Sequence, residues 1–386
     1  KTWHFTAKNV RDFAFSSSRK FIVDMMNEDI NGKDVMAVSV YPKEGNPLWE
    51  QWSTKTVASA LKSYSQMTFD YPYHKAVSVH ADDVGMEYPM ICFNFGRPDE
   101  NGDYSDRTKF GMIGVIIHEV GHNFFPMIVN SDERQWGWMD EGLNSFVQII
   151  AEQDFGKTHP DAIPGLDHYP SDDMDPQNIV RYMAGDQDFI APIMSNPENV
   201  YQLGPNAYSK PATALNILRE TVMGRELFDH AFKTFSKRWM FKHPTPEDFF
   251  RTMEDASAFD LDWFWRGWFF STDVVDIGVT DVKDLKKLGE DKRYFSLYYQ
   301  RSLENLTPEE LKNRQEPKKF YEVVFEKPGG IPMPLIVEYS YADGTKERKT
   351  YPAQVWRKSD QTISKYIATN KELVGVLVDP DNATAD

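Results

Sequence analysis

The sequence predicts an α+β fold, in which a mixed sheet with a helical part is followed by a small β-sandwich-like module. Three features indicate this class. Strand-like and helix-like segments alternate before residue 100, helix-like segments dominate from 108 to 270, and alternating β-branched and aromatic residues return after 271. The chain has 386 residues, of which 41% are hydrophobic, and this is enough for two or three domains.

The first part of the chain is predicted to form strands around one long helix. The helix is predicted over 49–67, because apolar residues recur there at helical spacing. The apolar stripe consists of Trp52, Val57, Ala60, Leu61 and Tyr64. Strands are predicted over 21–24, 36–41, 76–80 and 89–94. The segment 96–106 is rich in Gly, Asp, Asn and Pro and predicts a loop.

The middle of the chain is predicted to be helical and the last part to be mostly antiparallel β structure. The predicted helices are 108–128, 141–155, 209–223, 225–240, 247–258 and 261–270. The predicted strands are 319–325, 334–341, 348–354 and 373–378. Ala342, Asp343 and Gly344 are typical of a hairpin turn. We therefore expect a separate β module over 273–386.

Charge and cysteine content exclude several classes of protein. The net charge is −16 and no run of Lys and Arg supplies a basic face, which argues against nucleic-acid binding. Residues 131–200 hold 14 Asp and Glu against 3 Lys and Arg, which indicates a solvated acidic surface or a cleft for amine-bearing ligands. The single cysteine, Cys92, excludes an internal disulfide and a cysteine-cluster zinc site. No stretch reaches the roughly 18–20 apolar residues that a membrane span needs.

A candidate metal site lies in the segment HEVGHNFFP, which begins at His118. On a helix, His118 and His122 are four residues apart and lie on one face, so both can point at one ion. Imidazole suits Zn²⁺, and Glu119 stands where a carboxylate can take a proton from an activated water. The alternative is a helix that carries two unrelated histidines. A third ligand distinguishes the two.

The spacing excludes one class of zinc site and indicates another. A metzincin would carry Gly at 125 and His at 128, where this chain has Phe125 and Ile128. The next acidic candidate is Glu141 in GWMDEGLNSF, which lies 19 positions after His122 at the start of a predicted helix. A helix–loop–helix hairpin of this length can return the carboxylate to the ion.

HEVGH, an 18-residue gap and DEGLNSF together resemble the M1 family of zinc metallopeptidases, whose pattern is HExxH-x18-E. The resemblance implies a thermolysin-like catalytic domain over 20–272 and one Zn²⁺ per chain. It implies that His118, His122 and Glu141 are the zinc ligands and that Glu119 is the general base. Residues 1–19 are similar to the end of the β domain that precedes the catalytic domain in this family.

Two further segments match motifs of the family. VGMEYP is similar to the G-x-M-E-N strand of M1 aminopeptidases, which implies that Gly85 and Met86 line the substrate and that Glu87 binds its free α-amine. Tyr88 stands in place of the family Asn. NAYSKP is similar to the segment whose tyrosine donates to the oxyanion, which implies this role for Tyr208, with Tyr201 as the alternative.

The resemblance implies an aminopeptidase that releases N-terminal residues from peptides with a free N-terminus. Nucleic acid and a transmembrane segment are not expected, and an extracytoplasmic location is favoured. Three alternatives stay open. They are an endopeptidase on the same site, which Tyr88 keeps open, a non-catalytic surface-binding protein that contains zinc, and an enzyme of the epoxide-hydrolysing branch of the family.

Overall fold

A computed structural model describes residues 2–8, 10–171, 175–285, 303, 306–313 and 317–386. The chain forms two compact units. The first comprises residues 1–175 and 185–265, and the second comprises 176–184 and 266–386. The domain limits predicted at 19/20 and 272/273 stay predictions. Within the described residues, every helix is too short or too polar to cross a lipid bilayer.

The first unit contains a mixed four-stranded sheet with the order β1-β2-β3-β4. β1 (Phe21–Ile30) pairs antiparallel with β2 (Lys33–Pro42), whereas β3 (Lys75–His80) and β4 (Ile91–Asn94) continue the sheet in parallel. All four strands lie where the sequence predicts strands. The mixed sheet confirms this part of the predicted α+β fold.

Helix α1 (Leu48–Met67) connects β2 to β3 and supplies much of the core. The five residues of its predicted apolar stripe are all buried. Burying apolar side chains stabilises the folded chain by about 25 cal/mol for each Å² removed from water. α1 packs against β1, β2, α2 and α3, so it links the sheet to the helices that carry the candidate site.

The helical part follows in order. It contains α2 (Asp106–Gly121), α3 (Leu143–Thr158), α5 (Lys210–Ile217), α6 (Arg225–Arg238), α7 (Pro246–Ser257) and α8 (Asp262–Phe270), while the short α4 (Gln177–Met183) belongs to the second unit. Turns of π-helix precede α3 at Trp138–Gly142 and α5 at Gly204–Ser209, and another follows α5 at Leu218–Met223.

The predicted helix 108–128 is interrupted. The regular part of α2 ends at Gly121, and the π-helical segment Asn123–Ile128 contains Phe125 with φ −130° and ψ 116°. Pro126 has no backbone N–H to donate, and a proline drives the residue before it towards extended backbone. The interruption comes just after His122, so both histidines still lie on the last regular turn of α2.

The second unit carries two three-stranded antiparallel sheets, β10-β7-β8 and β5-β6-β9. The strands are β5 (Gly278–Asp284), β6 (Lys319–Glu326), β7 (Leu335–Tyr341), β8 (Lys346–Tyr351), β9 (Thr362–Thr369) and β10 (Leu373–Val378), with a short helix α9 (Pro308–Asn313). The predicted hairpin turn joins β7 to β8, and Gly344 supplies its positive φ of 81°. The described part of this unit confirms a β module. The sequence prediction missed β5, β9 and α4.

Candidate metal centre

Three ligand atoms converge at the end of α2. Nε2 of His118 and Nε2 of His122 lie 3.0 Å apart, as expected for histidines one helical turn apart. Glu141 enters from the π-helical turn before α3, and its Oε2 lies 3.1 Å from His118 Nε2 and 3.3 Å from His122 Nε2. The structure thus brings together the three residues that the sequence predicts as metal ligands.

The three atoms fit a zinc ion. Ligands about 2.0–2.2 Å from a tetrahedral zinc lie roughly 3.4 Å from one another, and the observed triangle is only slightly tighter. Two imidazole nitrogens cannot face each other across 3.0 Å with both lone pairs free, so a cation or a proton must lie between them. Two nitrogens and one carboxylate oxygen are a donor set that Zn²⁺ prefers.

The other ring nitrogens of the two histidines are held by acceptors. Nδ1 of His118 lies 2.8 Å from Oε1 of Gln148, and Nδ1 of His122 lies 2.9 Å from the carbonyl oxygen of Phe125. An acceptor at Nδ1 places the ring proton there and leaves the Nε2 lone pair for a metal. Asp140 also lies 2.9 Å from Nδ1 of His122, so both neighbours of this nitrogen are oxygens.

Glu87, His122 and Asp140 form a second close group, with ligand atoms within 4.8 Å of one another. This group shares His122 with the first. Because Nδ1 of His122 already faces Phe125 and Asp140, only its Nε2 is directed at a metal, and Nε2 belongs to the first triangle. We therefore assign the metal to the first group and treat Asp140 as support for His122.

Charge within the cluster depends on burial. Burial alone would raise the pKa of the Glu141 carboxyl, but the neighbouring imidazoles of His122 and His118 hold that pKa below its usual range. Burial raises the pKa of the Asp140 carboxyl to about 7, although His122 opposes this. Glu141 is therefore the carboxylate that stays ionised beside the two rings.

Glu119 is buried beside the metal triangle. Burial raises the pKa of its carboxyl to about 7, against the lowering effects of His122 and His118. Among the described residues, its Oε2 has no hydrogen-bond partner. A Cβ at Gly85 would lie 2.9 Å from Oε1 of Glu119 and 2.8 Å from Cγ2 of Val115, so glycine at 85 allows the carboxylate its position.

The segment that contains Gly85, Met86 and Glu87 runs along the free edge of β4. Met86 and Phe93 exchange two backbone hydrogen bonds of 2.9 and 2.8 Å in an antiparallel bridge. The half-buried Glu87 follows this bridge, and its carboxylate comes within 4.8 Å of the ligand atoms of His122 and Asp140. The edge therefore places one carboxylate beside the metal triangle.

Tyr208 enters the site from the π-helical turn before α5. Its hydroxyl donates a hydrogen bond of 2.6 Å to Oε1 of Glu141, and its ring stacks on His118 with centroids 5.8 Å apart. The alternative, Tyr201, is 79% exposed and packs on Phe189 instead. The structure thus places Tyr208 at the metal triangle and Tyr201 away from it.

Four residues around the site were missed by sequence reasoning. They are Gly121, Asp140, Asn144 and Gln148. The amide of Asn144 donates to the carbonyl oxygen of His118 across 2.9 Å and so ties α3 to α2. Position offers one signal, because Gln148 lies seven residues after Glu141, which is two helical turns along the same face.

A cleft of about 720 Å³ opens beside the metal triangle. His118 and Tyr208 form one end of it, and aromatic side chains and one arginine form the rest, including Phe95, Arg107, Phe110 and Tyr169. A cleft of this size holds a few residues of an extended peptide or a ligand of similar size. It lies within the first unit, as does every predicted site residue.

Comparison with known proteins matches these motifs to one family. The model of the Peptidase family M1 domain matches residues 52–268. Glutamyl aminopeptidase of Bos taurus is 23% identical over 249 residues, which are 62% of this chain and 24% of that protein. Aminopeptidase N of Haemophilus influenzae is 22% identical over 275 residues, which are 66% of this chain and 29% of that protein.

A solved structure extends the likeness to most of the chain. Legionella pneumophila aminopeptidase A, crystallised in complex with aspartic acid, superimposes with a TM-score of 0.61 at 16% identity. The match covers 93% of this chain and 37% of that one. At this identity the likeness shows a shared fold. The chain spans about a quarter to a third of the length of the relatives named here.

Proposed function

The chain belongs to peptidase family M1, and we propose that it is a zinc-dependent aminopeptidase that removes N-terminal residues from peptides. The observation that carries the proposal is the triangle of His118, His122 and Glu141, with Glu119 and Tyr208 beside it. A purely structural metal site needs neither a buried general base nor a tyrosine hydroxyl. The peptide substrate and the release of one residue at a time belong to this proposal.

His118, His122 and Glu141 would hold the zinc ion. When bound there, Zn²⁺ supplies a Lewis acid that polarises a carbonyl oxygen and lowers the pKa of a water molecule. The same positive charge lowers the pKa of Glu119, so this carboxylate is ionised and able to accept a proton at neutral pH.

Glu119 acts as general base and then as general acid. Its Oε2 takes a proton from the attacking water and later delivers it to the nitrogen of the leaving amine. The hydroxyl of Tyr208 donates a hydrogen bond to the oxyanion that forms as the carbonyl carbon becomes tetrahedral. Both groups lie in a buried site, where electrostatic stabilisation is stronger than in water.

Glu87 determines which peptide bond is cut. Its carboxylate pairs with the ammonium group of the substrate N-terminus, so the first peptide bond lies over the metal triangle. The acidic surroundings of Glu87 and Asp140 also favour a positively charged group. A substrate with a blocked amine loses this charge-assisted contact.

The test compares aminoacyl reporter amides with their N-acetylated forms on zinc-loaded protein. We expect cleavage of the free-amine forms only, and a loss of about 10²–10⁴-fold in kcat for Glu119→Gln. Glu50→Gln, an exposed change on α1, is the control and should leave kcat unchanged. Equal cleavage of acetylated substrates would instead favour an endopeptidase. No cleavage of either form by zinc-loaded wild type would favour a non-catalytic binding protein.

A further inference from the structure

A chain of hydrogen bonds runs from His118 into the interior of the first unit. Nδ1 of His118 lies 2.8 Å from Oε1 of Gln148, and Nε2 of Gln148 donates to Oε1 of Glu152 across 2.8 Å. Gln148 and Glu152 are one helical turn apart on α3. Glu152 is only 6% exposed, although ionisable carboxyls are seldom buried this deeply. The proposed mechanism does not use this group.

The contacts of Gln148 determine which way its amide points. Its Nε2 faces two acceptors, the carboxylate of Glu152 and the carbonyl oxygen of Gly114 at 3.3 Å. An amide rotated by 180° would set its oxygen against both acceptors, which is unfavourable. The amide oxygen must therefore face His118, and only a protonated Nδ1 can donate to it. This is the tautomer that leaves Nε2 of His118 free for a metal.

Glu152 is itself held from two sides. The hydroxyl of Ser171 donates to its Oε2, and the same hydroxyl accepts a hydrogen bond of 3.0 Å from Gln153. On the other side, a Cβ at Gly114 would come within 3.2 Å of Oε1 of Glu152, so a glycine on α2 leaves room for the carboxylate. The carboxylate therefore occupies one defined position against Gln148.

We propose that Glu152 is a positioning residue that orients the amide of Gln148 and thereby selects the metal-binding tautomer of His118. The inference rests on the proposed function to the extent that it takes a metal ion at His118. Glu152 does not contact the ion, the substrate or Glu119 in this arrangement. It acts on the metal through one amide and one imidazole.

The isosteric change Glu152→Gln tests this role. A neutral amide at 152 offers an NH₂ group as well as an oxygen, so Gln148 can turn over without losing its hydrogen bonds. The turned amide presents N–H to His118, which favours the tautomer that carries its proton on Nε2 and blocks the metal. We expect the affinity for Zn²⁺ alone, measured by competition with a chromophoric chelator, to fall about 10–100-fold.

The exchanged pair Gln148→Glu with Glu152→Gln provides the rescue. A carboxylate at 148 accepts directly from Nδ1 of His118, and the amide at 152 donates to that carboxylate, so affinity should return to near the wild-type value. Asp154→Asn is the matched control, because this carboxylate lies on the same helix but bonds Ser63 and Lys157. Its zinc affinity should equal that of the wild type.

The outcomes separate this inference from the proposed function. Circular dichroism and thermal unfolding first establish that each variant is folded. Weak zinc binding by Glu152→Gln together with recovery in the exchanged pair supports the positioning role. Unchanged affinity in Glu152→Gln, or a folded exchanged pair that does not recover, overturns it while the wild type still binds zinc. A wild type that binds no zinc overturns both proposals.

Discussion

The hydroxyl of Tyr208 donates a 2.6 Å hydrogen bond to Oε1 of Glu141, whose other oxygen lies 3.1 Å from Nε2 of His118. One carboxylate thus joins the tyrosine to the metal triangle. Burial and the nearby charge of Glu141 raise the pKa of Tyr208 far above its ordinary value. The hydroxyl therefore keeps its proton at any working pH and remains a hydrogen-bond donor.

Tyr208→Phe should lower catalysis without emptying the metal site. The variant keeps the ring that stacks on His118 but removes the donor to the oxyanion, and the loss of one such donor costs about 10²–10³-fold in kcat. KM and zinc affinity should change little, because neither depends on the hydroxyl in the proposed mechanism. Steady-state kinetics on an aminoacyl amide, with zinc content measured in parallel, checks this.

Tyr201→Phe is the matched control for Tyr208→Phe. Tyr201 is exposed and packs on Phe189 away from the triangle, so its variant should keep wild-type kcat. If Tyr208→Phe lost zinc in proportion to activity, its hydroxyl would serve to hold Glu141 and not the oxyanion.

Glu87→Gln should weaken the use of free-amine substrates. The change keeps the shape of the side chain but replaces a charge-assisted bond, worth about 1.5–3 kcal/mol, by a neutral one. We expect kcat/KM for an aminoacyl amide to fall about 10–100-fold, because each 1.4 kcal/mol is tenfold. Asp82→Asn, an exposed change in the same loop, should have no effect. A similar fall for both variants would point to general acidity, not to an amine contact.

Zinc should stabilise the first unit. A ligand that binds only the folded chain contributes about 2.7 kcal/mol at a concentration of 100 Kd. For a unit of this size the melting temperature should rise by about 5–10 °C. Scanning fluorimetry of chelator-treated protein with and without Zn²⁺ measures this rise, and Glu141→Gln should reduce it. An equal rise in Glu141→Gln would mean that Zn²⁺ stabilises the protein through another site.

Cys92 should be unreactive in the folded protein. Its side chain is buried on β4 near the carbonyl oxygen of Val77, and burial raises the pKa of the thiol. Because only the thiolate is nucleophilic, and the raised pKa keeps the thiol protonated at pH 8, a disulfide reagent should react slowly. Reaction should become fast in guanidinium chloride. Rapid reaction of the native protein would show that this part of the sheet opens readily.

Periodicity predicted most of the helices and strands, and it failed where pairing between distant segments decides the structure. β5 contains Gly, Asp and Lys and has little intrinsic preference for a strand, yet it pairs with β6 along its length. β9 is the other neighbour of β6. Such strands form because a partner supplies hydrogen bonds, and no local pattern records that partner.

The candidate site divides in the same way. His118, His122 and Glu141 are identified by spacing, since the helix period and the length of the hairpin set their approach. The choice between Tyr208 and Tyr201 depends on how the turn before α5 packs. The link from Gln148 to Glu152 depends on the room that Gly114 leaves between α2 and α3. Packing of this kind is not visible in a motif.

Gly121, which precedes the second histidine, should resist substitution. A Cβ there would lie 2.2 Å from the hydroxyl oxygen of Tyr64 and 2.3 Å from Oδ1 of Asn144, which are themselves joined by a 2.8 Å hydrogen bond. Gly121→Ala must displace both buried groups, and overpacking together with a broken buried hydrogen bond costs about 2–4 kcal/mol. Because Asn144 also holds the carbonyl oxygen of His118, zinc affinity should fall as well.

Gly204→Ala separates this clash from the general effect of adding a methyl group. Gly204 begins a π-helical turn, and nothing lies within 4 Å of a Cβ built there, so this change should be neutral or stabilise by about 0.4–1 kcal/mol. Denaturant unfolding of both variants gives the difference in the free energy of unfolding. If Gly121→Ala unfolded at the wild-type midpoint and bound zinc equally well, Tyr64 and Asn144 would have to move freely, and their hydrogen bond would not be needed to hold α2 against α3.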